Sequence, residues 1–319
     1  MTDTAPIALF TYARPDHTRR TVEALQRNYL AAESDLYVFS DGPKSSKDAP
    51  AVEALRRYLE SINGFRSITI RARSGNAGLS TSIIEGVTDI VTRFGRVVVV
   101  EDDIVTSPLF LAYMNSGLTL YEHDSEVVSI HGYMYPHREM LPSTFFLRGA
   151  DCWGWATWSR GWDIFRPDGT SLLAEIKRKK LEREFNFKHY PYTEMLRWQV
   201  RGWVDSWAIR WYASAFLLGG LTLYPGKSLV QNIGLDGSGT HASWTAAQYG
   251  SVIATEPVPV RRIPLVEDPR ARREVETFFL KLRVRKMVMG GWALILQPRA
   301  YSRALRRTII RTLDRSARA

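Results

Sequence analysis

Four consecutive valines, Val97 to Val100, run directly into Glu101, Asp102 and Asp103, and this junction constrains the fold more than any other stretch of the chain. β-Branched side chains crowd a helical turn but pack well on a pleated surface. A continuous run of them, placed after the helical-period segment Leu79 to Phe94, reads as a strand buried on both faces of a parallel sheet. The three acids then fall at the carboxyl end of that strand, which is where open α/β sheets bind ligands. Adjacent carboxylates repel one another unless a hard cation or a hydrogen-bond donor shares them. The junction therefore points to a metal-assisted site for a phosphorylated ligand. A local reading stands beside it: acids commonly end strands because they are solvated, and Asp103 is placed to cap a segment beginning near Ser107 and Pro108.

The surrounding pattern supports an α/β fold. Strand-like runs at Ile7 to Tyr12, Leu36 to Ser40, Ser67 to Arg71, Val97 to Val100 and Val127 to His131 alternate with helix-period segments. Those segments lie near His17 to Tyr29, Ala51 to Ile62, Leu79 to Phe94 and Leu109 to Tyr121, as βαβ units require. Residues 1–135 thus read as a Rossmann-like half, 136–268 as an acceptor-side half of the same domain, and 269–319 as a basic helical tail. No G-x-G-x-x-G follows the first strand and no G-x-x-x-x-G-K-[ST] is present, so neither dinucleotide binding nor a P-loop is supported.

Eight of the ten tryptophans lie between Trp153 and Trp211. They can be core, and collectively they suit a sugar site, where ring faces stack on aromatics. The single cysteine, Cys152, excludes an internal disulfide framework, fits a reducing cytosol and reads as a small buried residue rather than a nucleophile. No signal-peptide pattern opens the chain, and no run of about 18 apolar residues suggests a membrane span. The net charge of +10 belongs to the tail: residues 269–319 hold fourteen Lys and Arg against three acids. No nucleic-acid motif accompanies it, so no nucleic-acid partner is expected.

With these features in place, a family resemblance emerges. The run Val97 to Asp103 followed by Ile104, Val105, Thr106, Ser107, Pro108, Leu109 and Phe110 resembles the acidic motif of nucleotide-sugar glycosyltransferases with the GT-A fold. It is nearest to the group around N-acetylglucosaminyltransferase I, in which a Glu-Asp-Asp triplet replaces Asp-x-Asp. Phe10, Thr11, Tyr12, Ala13, Arg14 and Pro15, with Thr18 and Arg19, resemble the opening phrase of bacterial family 2 transferases, and so place Thr11 and Arg14 at the nucleotide. The resemblance covers about residues 7–135 well and 145–245 more loosely. It implies an α/β GT-A mixed sheet flanked by helices, Asp103 as direct metal ligand, and Glu101 and Asp102 as contacts to the ribose and donor sugar.

Further positions follow from the same resemblance. Asp41 matches an acid that hydrogen-bonds a uracil ring, although an Asp-Gly turn explains it equally. Asn76 and Gly78, in Arg73 to Leu79, resemble a phrase that wraps the nucleotide, where small residues let backbone donors approach phosphate. Asp205, between Trp203 and Trp207, resembles the catalytic base; dehydration by two indoles would raise its pKa toward the useful range. Its alternative is an N-cap for a helix Trp207 to Leu217. Ser206 departs from the family at the position of a second acid or aromatic. His241, after the turn Asp236 to Thr240, is placed to complete the metal or diphosphate site, or is an exposed loop histidine.

The expected activity is inverting, metal-dependent transfer from a nucleotide-sugar, a UDP-sugar first, with Mn²⁺ or Mg²⁺, to a carbohydrate or lipid-linked hydroxyl acceptor. Polysaccharide biosynthesis is the setting that family and tail together imply. Two rivals remain open: a sugar-phosphate nucleotidyltransferase, whose glycine-bearing loop after the first strand is missing here, and a non-catalytic carbohydrate-binding protein on a degenerate transferase fold. The tail carries Phe278, Phe279, Leu282, Val288, Trp292, Leu294, Ile295, Ile309 and Ile310 among its arginines. It is expected to dock the cytosolic protein on an anionic membrane surface, unless those apolar residues pack on the body.

Overall fold

The computed structural model describes residues 4–236 and 246–296. Strands and helices alternate through the first part: β1 (Ile7–Thr11), α1 (Pro15–Gln26), β2 (Asp35–Ser40), α2 (Ala49–Leu59), β3 (Ser67–Ala72), α3 (Leu79–Phe94) and β4 (Arg96–Glu101). The short β5 (Ile104–Thr106), α4 (Phe110–Leu120) and β6 (Val127–His131) follow. Local chemistry accounts for these elements. Pro15 opens α1, where its missing N–H would have had no intrahelical partner. Ile83, Val87, Ile90 and Val91 recur at helical spacing and bury one face of α3 against the sheet.

The second part supplies β7 (Thr144–Arg148), β8 (Trp155–Trp158), α5 (Ser159–Trp162), α6 (Gly169–Arg178), α7 (Glu182–Phe185), α8 (Tyr192–Val200), α9 (Trp207–Leu217), β9 (Leu221–Pro225), β10 (Val230–Asn232) and α10 (Pro269–Leu296). An eight-stranded sheet runs β3-β2-β1-β4-β8-β6-β9-β7. Its β3-β2-β1-β4 side is parallel, whereas β8 is antiparallel to both β4 and β6. This is the mixed α/β sheet flanked by helices that the resemblance implied. One detail differs: the valine strand is buried on both faces, but only β1 beside it is parallel. The other neighbour is β8, contributed from beyond residue 150, which no hydrophobic period in the first 135 residues foreshadows.

The tryptophans divide by depth. Trp155, Trp162, Trp207 and Trp211 are buried and pack against one another with centroids 5.2 to 5.8 Å apart, so these four are core. Trp198 and Trp203 remain partly exposed. The tail boundary at Pro269 also shifts in meaning. Ala271, Val275, Phe278, Phe279 and Leu282 are buried against the body, with Phe279 against Tyr135 and Tyr190. Arg272 lies 3.9 Å from the Phe187 ring centre, and Glu276 bonds Lys188 at 2.6 Å and Arg272 at 3.0 Å. The first half of α10 therefore belongs to the body, and Phe278, Phe279 and Leu282 do not face a membrane. Ile309 and Ile310 lie outside the described residues. Among the described residues no helix is long and apolar enough to cross a membrane.

Candidate functional site

The chain leaves β1 for β2 and β3 on one side, and β4 joins β1 on the other. Loops that leave neighbouring strands in opposite directions open a crevice at the strand ends, and Glu101, Asp102 and Asp103 sit there. Asp102 and Asp103 form the turn from β4 into β5. Asp103 therefore does not cap the following helix; the Leu109 amide instead donates to the Ser107 hydroxyl at 3.3 Å. From the β1 side, the Tyr12 amide donates to Asp102 Oδ2 at 3.2 Å. Arg14 Nη1 donates to Asp103 Oδ2 at 2.9 Å and to Asp102 Oδ1 at 3.4 Å. Between Tyr12 and Arg14, Ala13 takes φ +47, a left-handed conformation that costs a non-glycine residue about 1–2 kcal/mol. That turn carries both donors toward the acids. Arg14 is thus the shared hydrogen-bond donor that adjacent carboxylates require.

One guanidinium does not balance three carboxylates. Asp102 is 8% exposed; burial first, then the Asp103 charge, push its pKa up to about 7 against the pull of Arg14 and the Tyr12 amide. Burial also holds Glu101 well above the usual carboxylate range, and Asp103 and Asp102 add to it. Such a pocket holds protons at neutral pH or welcomes a cation.

A second layer covers the acids. β10 pairs antiparallel with β5, the Ile233 amide donates to the Asp103 carbonyl at 2.8 Å, and Gly234 lies flat on the carboxylate. A Cβ at position 234 would sit 2.0 Å from Asp103 Oδ2, so a larger residue there would push the carboxylate from its place. Two residues on, Asp236 meets His17 Nε2 at 3.1 Å, fastening the segment to α1. No motif in the sequence singles out Gly234 or His17 for these contacts. His241 lies outside the described residues.

Asp41 behaves differently. Its Oδ1 accepts from the amides of Gly42 and Ala77 at 2.9 Å, and its Oδ2 from the Gly78 amide at 2.9 Å and Asn76 Nδ2 at 3.0 Å. Four donors fill a carboxylate's acceptor positions, leaving none for a uracil ring. In this structure Asp41 and Asn76 clasp the loop that leads into α3. Gly42 permits the clasp, because a Cβ there would lie 2.5 Å from the Gly75 backbone. Gly78 is the residue preceding the first turn of α3. The Thr11 hydroxyl turns into the sheet and donates to the Phe39 carbonyl at 3.4 Å.

Asp205 is not dehydrated by its indole neighbours. Its side chain is 66% exposed and meets Arg210 Nη2 at 3.2 Å. Nor does it cap α9, since Ser206 does, accepting from the Ile209 amide. The buried Arg210 also donates to the Ser80 hydroxyl at 2.5 Å, in the first turn of α3. The geometry thus brings Asp205 to the α3 end of the crevice through an arginine that sequence reading missed. Opposite, Asp151 accepts from the Tyr135 hydroxyl at 2.8 Å. Burial, then Asp151, Glu101 and Asp103, hold the Cys152 thiol well above its usual range, which disqualifies it as a nucleophile.

Among the described residues no three metal-ligating side chains converge. Asp103 with Asp102 behind it is a one- or two-carboxylate donor set, the kind Mg²⁺ and Mn²⁺ use when substrate phosphates and waters complete the shell. The residues present fit such an ion.

No family model matches the sequence, and no curated relative does. Among solved structures the chain is similar to S. aureus TarS 1-349, with 10% identity and TM-score 0.39 over 73% of this chain and 61% of that one. It is similar to a second S. aureus TarS structure, with 9% identity and TM-score 0.40 over 73% and 37%. A third is UDP-glucose pyrophosphorylase complexed with UDP-glucose, with 11% identity and TM-score 0.29 over 52% and 82%. The chain thus spans about three fifths of the TarS 1-349 structure. These scores describe partial overlap of folds, and the function rests on this chain's own residues.

Proposed function

We propose that the chain is a metal-dependent, inverting glycosyltransferase that moves a sugar from a UDP-sugar to a hydroxyl acceptor. The observation that supports this reading is the under-neutralised acid turn: Glu101, Asp102 and Asp103, with Arg14 between two of them, at the strand-end crevice where β1 and β4 part. Mg²⁺ or Mn²⁺ at Asp103 would neutralise charge on the departing diphosphate. Arg14 adds a fixed positive charge on the same side. Asp102 and Glu101, relieved of their protons when the site gains positive charge, take the donor's hydroxyls. The α3 amino end, held by the Asp41 clasp, presents backbone N–H groups toward phosphate.

Asp205 removes the acceptor's proton as its oxygen attacks the anomeric carbon. Arg210, 3.2 Å away, holds the carboxylate in place for that proton transfer. A single displacement inverts the anomeric centre, and no protein nucleophile takes part.

The test is a panel of nucleotide-sugars incubated with the full chain, with and without Mn²⁺ and with chelator. The reading expects nucleoside diphosphate and free sugar, dependent on metal. Sugar 1-phosphate as the product would instead indicate nucleotidyl transfer. Binding of glycans without any turnover would indicate the carbohydrate-binding alternative.

A further inference from the structure

The outer half of α10 carries an apolar stripe that nothing in the described body covers. Ala271, Val275, Phe278, Phe279 and Leu282 recur at helical spacing and are buried. Leu280, Val284, Met287 and Val288 recur at the same spacing on the opposite side and are 42% to 59% exposed. Solitary exposed apolar residues need no explanation, but four aligned on one helix face do.

Charge around the stripe identifies what covers it. From Thr277 to Leu296 the sequence holds Lys281, Arg283, Arg285 and Lys286 and no acid. Lys281 and Arg285 also line a groove of about 390 Å³ together with His137 and Arg138, so the basic collar continues onto the body. Beyond the collar come ten residues without a charge or a polar side chain, Met287 to Leu296, still within α10. Ten helical residues extend about 15 Å, half the hydrocarbon thickness of a bilayer. A segment that is apolar all round, too short to span and preceded by a cationic collar, matches a helix end set into a membrane interface.

We infer that the carboxyl-terminal half of α10 is a monotopic anchor for an anionic lipid surface. Its apolar end enters the acyl boundary, and Lys281, Arg283 and Arg285 lie at the headgroups. The inner stripe keeps the anchor fixed to the body, so docking also orients the catalytic crevice relative to the surface. This inference does not depend on which reaction the crevice performs. A second copy of the chain is the competing occupant, but two such faces would bring together collars of the same sign.

The test is flotation of the full chain with vesicles of phosphatidylcholine containing about 30 mol% phosphatidylglycerol, and with phosphatidylcholine alone. The expected result is binding to the anionic vesicles that weakens at least about tenfold as salt shortens the Debye length, with little binding to neutral ones. The triple variant Val284→Glu, Met287→Glu, Val288→Glu alters only exposed positions. It should keep the parent's melting temperature and nucleotide-sugar turnover while losing about tenfold or more in vesicle affinity. Arg283→Glu with Arg285→Glu should remove the preference for anionic over neutral vesicles. The inference fails if the triple variant floats as the parent does, or if the parent ignores anionic vesicles. It fails equally if the parent sediments as a dimer that the triple variant breaks while neither binds vesicles.

Discussion

Asp41 and the Glu101–Asp103 turn are both acidic sites at the carboxyl ends of strands in one parallel array, β2 and β4 with β1 between them, yet their surroundings are opposite. Asp41 has four donors for four acceptor positions and is saturated by its own loop. Among the described residues, the turn has three carboxylates of which Arg14 bonds two, and burial lifts the pKa of two of the three. A saturated carboxylate stabilises structure and has nothing left to offer a ligand. An under-neutralised one costs stability and gains most from an added cation. Both sequences read as an acid after a strand, and only the donor inventory separates a saturated clasp from an under-neutralised turn.

Four experiments would break or sharpen that contrast, and the largest effect belongs to the turn. Asp103→Asn should lower metal-dependent turnover by about 10³, near 4 kcal/mol of transition-state stabilisation, while the melting temperature holds or rises because a repulsive charge is gone. Calorimetry showing Mn²⁺ and UDP bound as tightly as by the parent would remove Asp103 from the metal role. Asp41→Ala should do the reverse, costing about 3 kcal/mol of stability by orphaning buried donors. A variant that melted like the parent but lost UDP-sugar binding would make Asp41 a ligand contact after all.

Asp205→Asn should leave donor binding intact and reduce transfer by about 10², the low end for a general base, since its carboxylate is exposed and paired with Arg210. Unchanged transfer would leave it a partner of Arg210 only. The smallest effect is a pH dependence. The Asp102 pKa rises from 3.8 to about 7 on folding. Between those values the folded chain keeps a proton that the unfolded chain has released, so stability falls as pH rises, by at most about 1.4 kcal/mol per pH unit. Thermal melts at pH 5, 6 and 7 should show that decline, and Asp102→Asn should flatten it. An equal slope in the variant would place the charge imbalance elsewhere.

Residues whose environment is local were legible. The helix Leu79–Phe94, the strand Val127–His131 and the helix Trp207–Leu217 begin and end where their patterns put them, because those patterns depend on neighbours two to four positions away. The acids' place at a strand end followed from the valines beside them. Asp205 shows the limit: two indoles adjacent in sequence suggest dehydration, but Trp207 turns into the core and Trp203 stays half-exposed. Adjacency in the chain did not become enclosure in space.

The sequence by itself determined an α/β domain with an acid triplet at the end of a buried strand, since strand propensity, apolar period and chain order suffice for that. Only the tertiary structure decided that β8 slots between β4 and β6, that Gly234 lies against Asp103, and that Arg14 bridges acids 88 and 89 residues away. It also decided that Phe278 and Phe279 belong to the core while Val284 and Val288 face outward. Each of these is a contact across a long stretch of chain, and what fixes it is shape, burial and donor supply among elements already formed. No local pattern carries that information, because the same residues would read identically with a different partner.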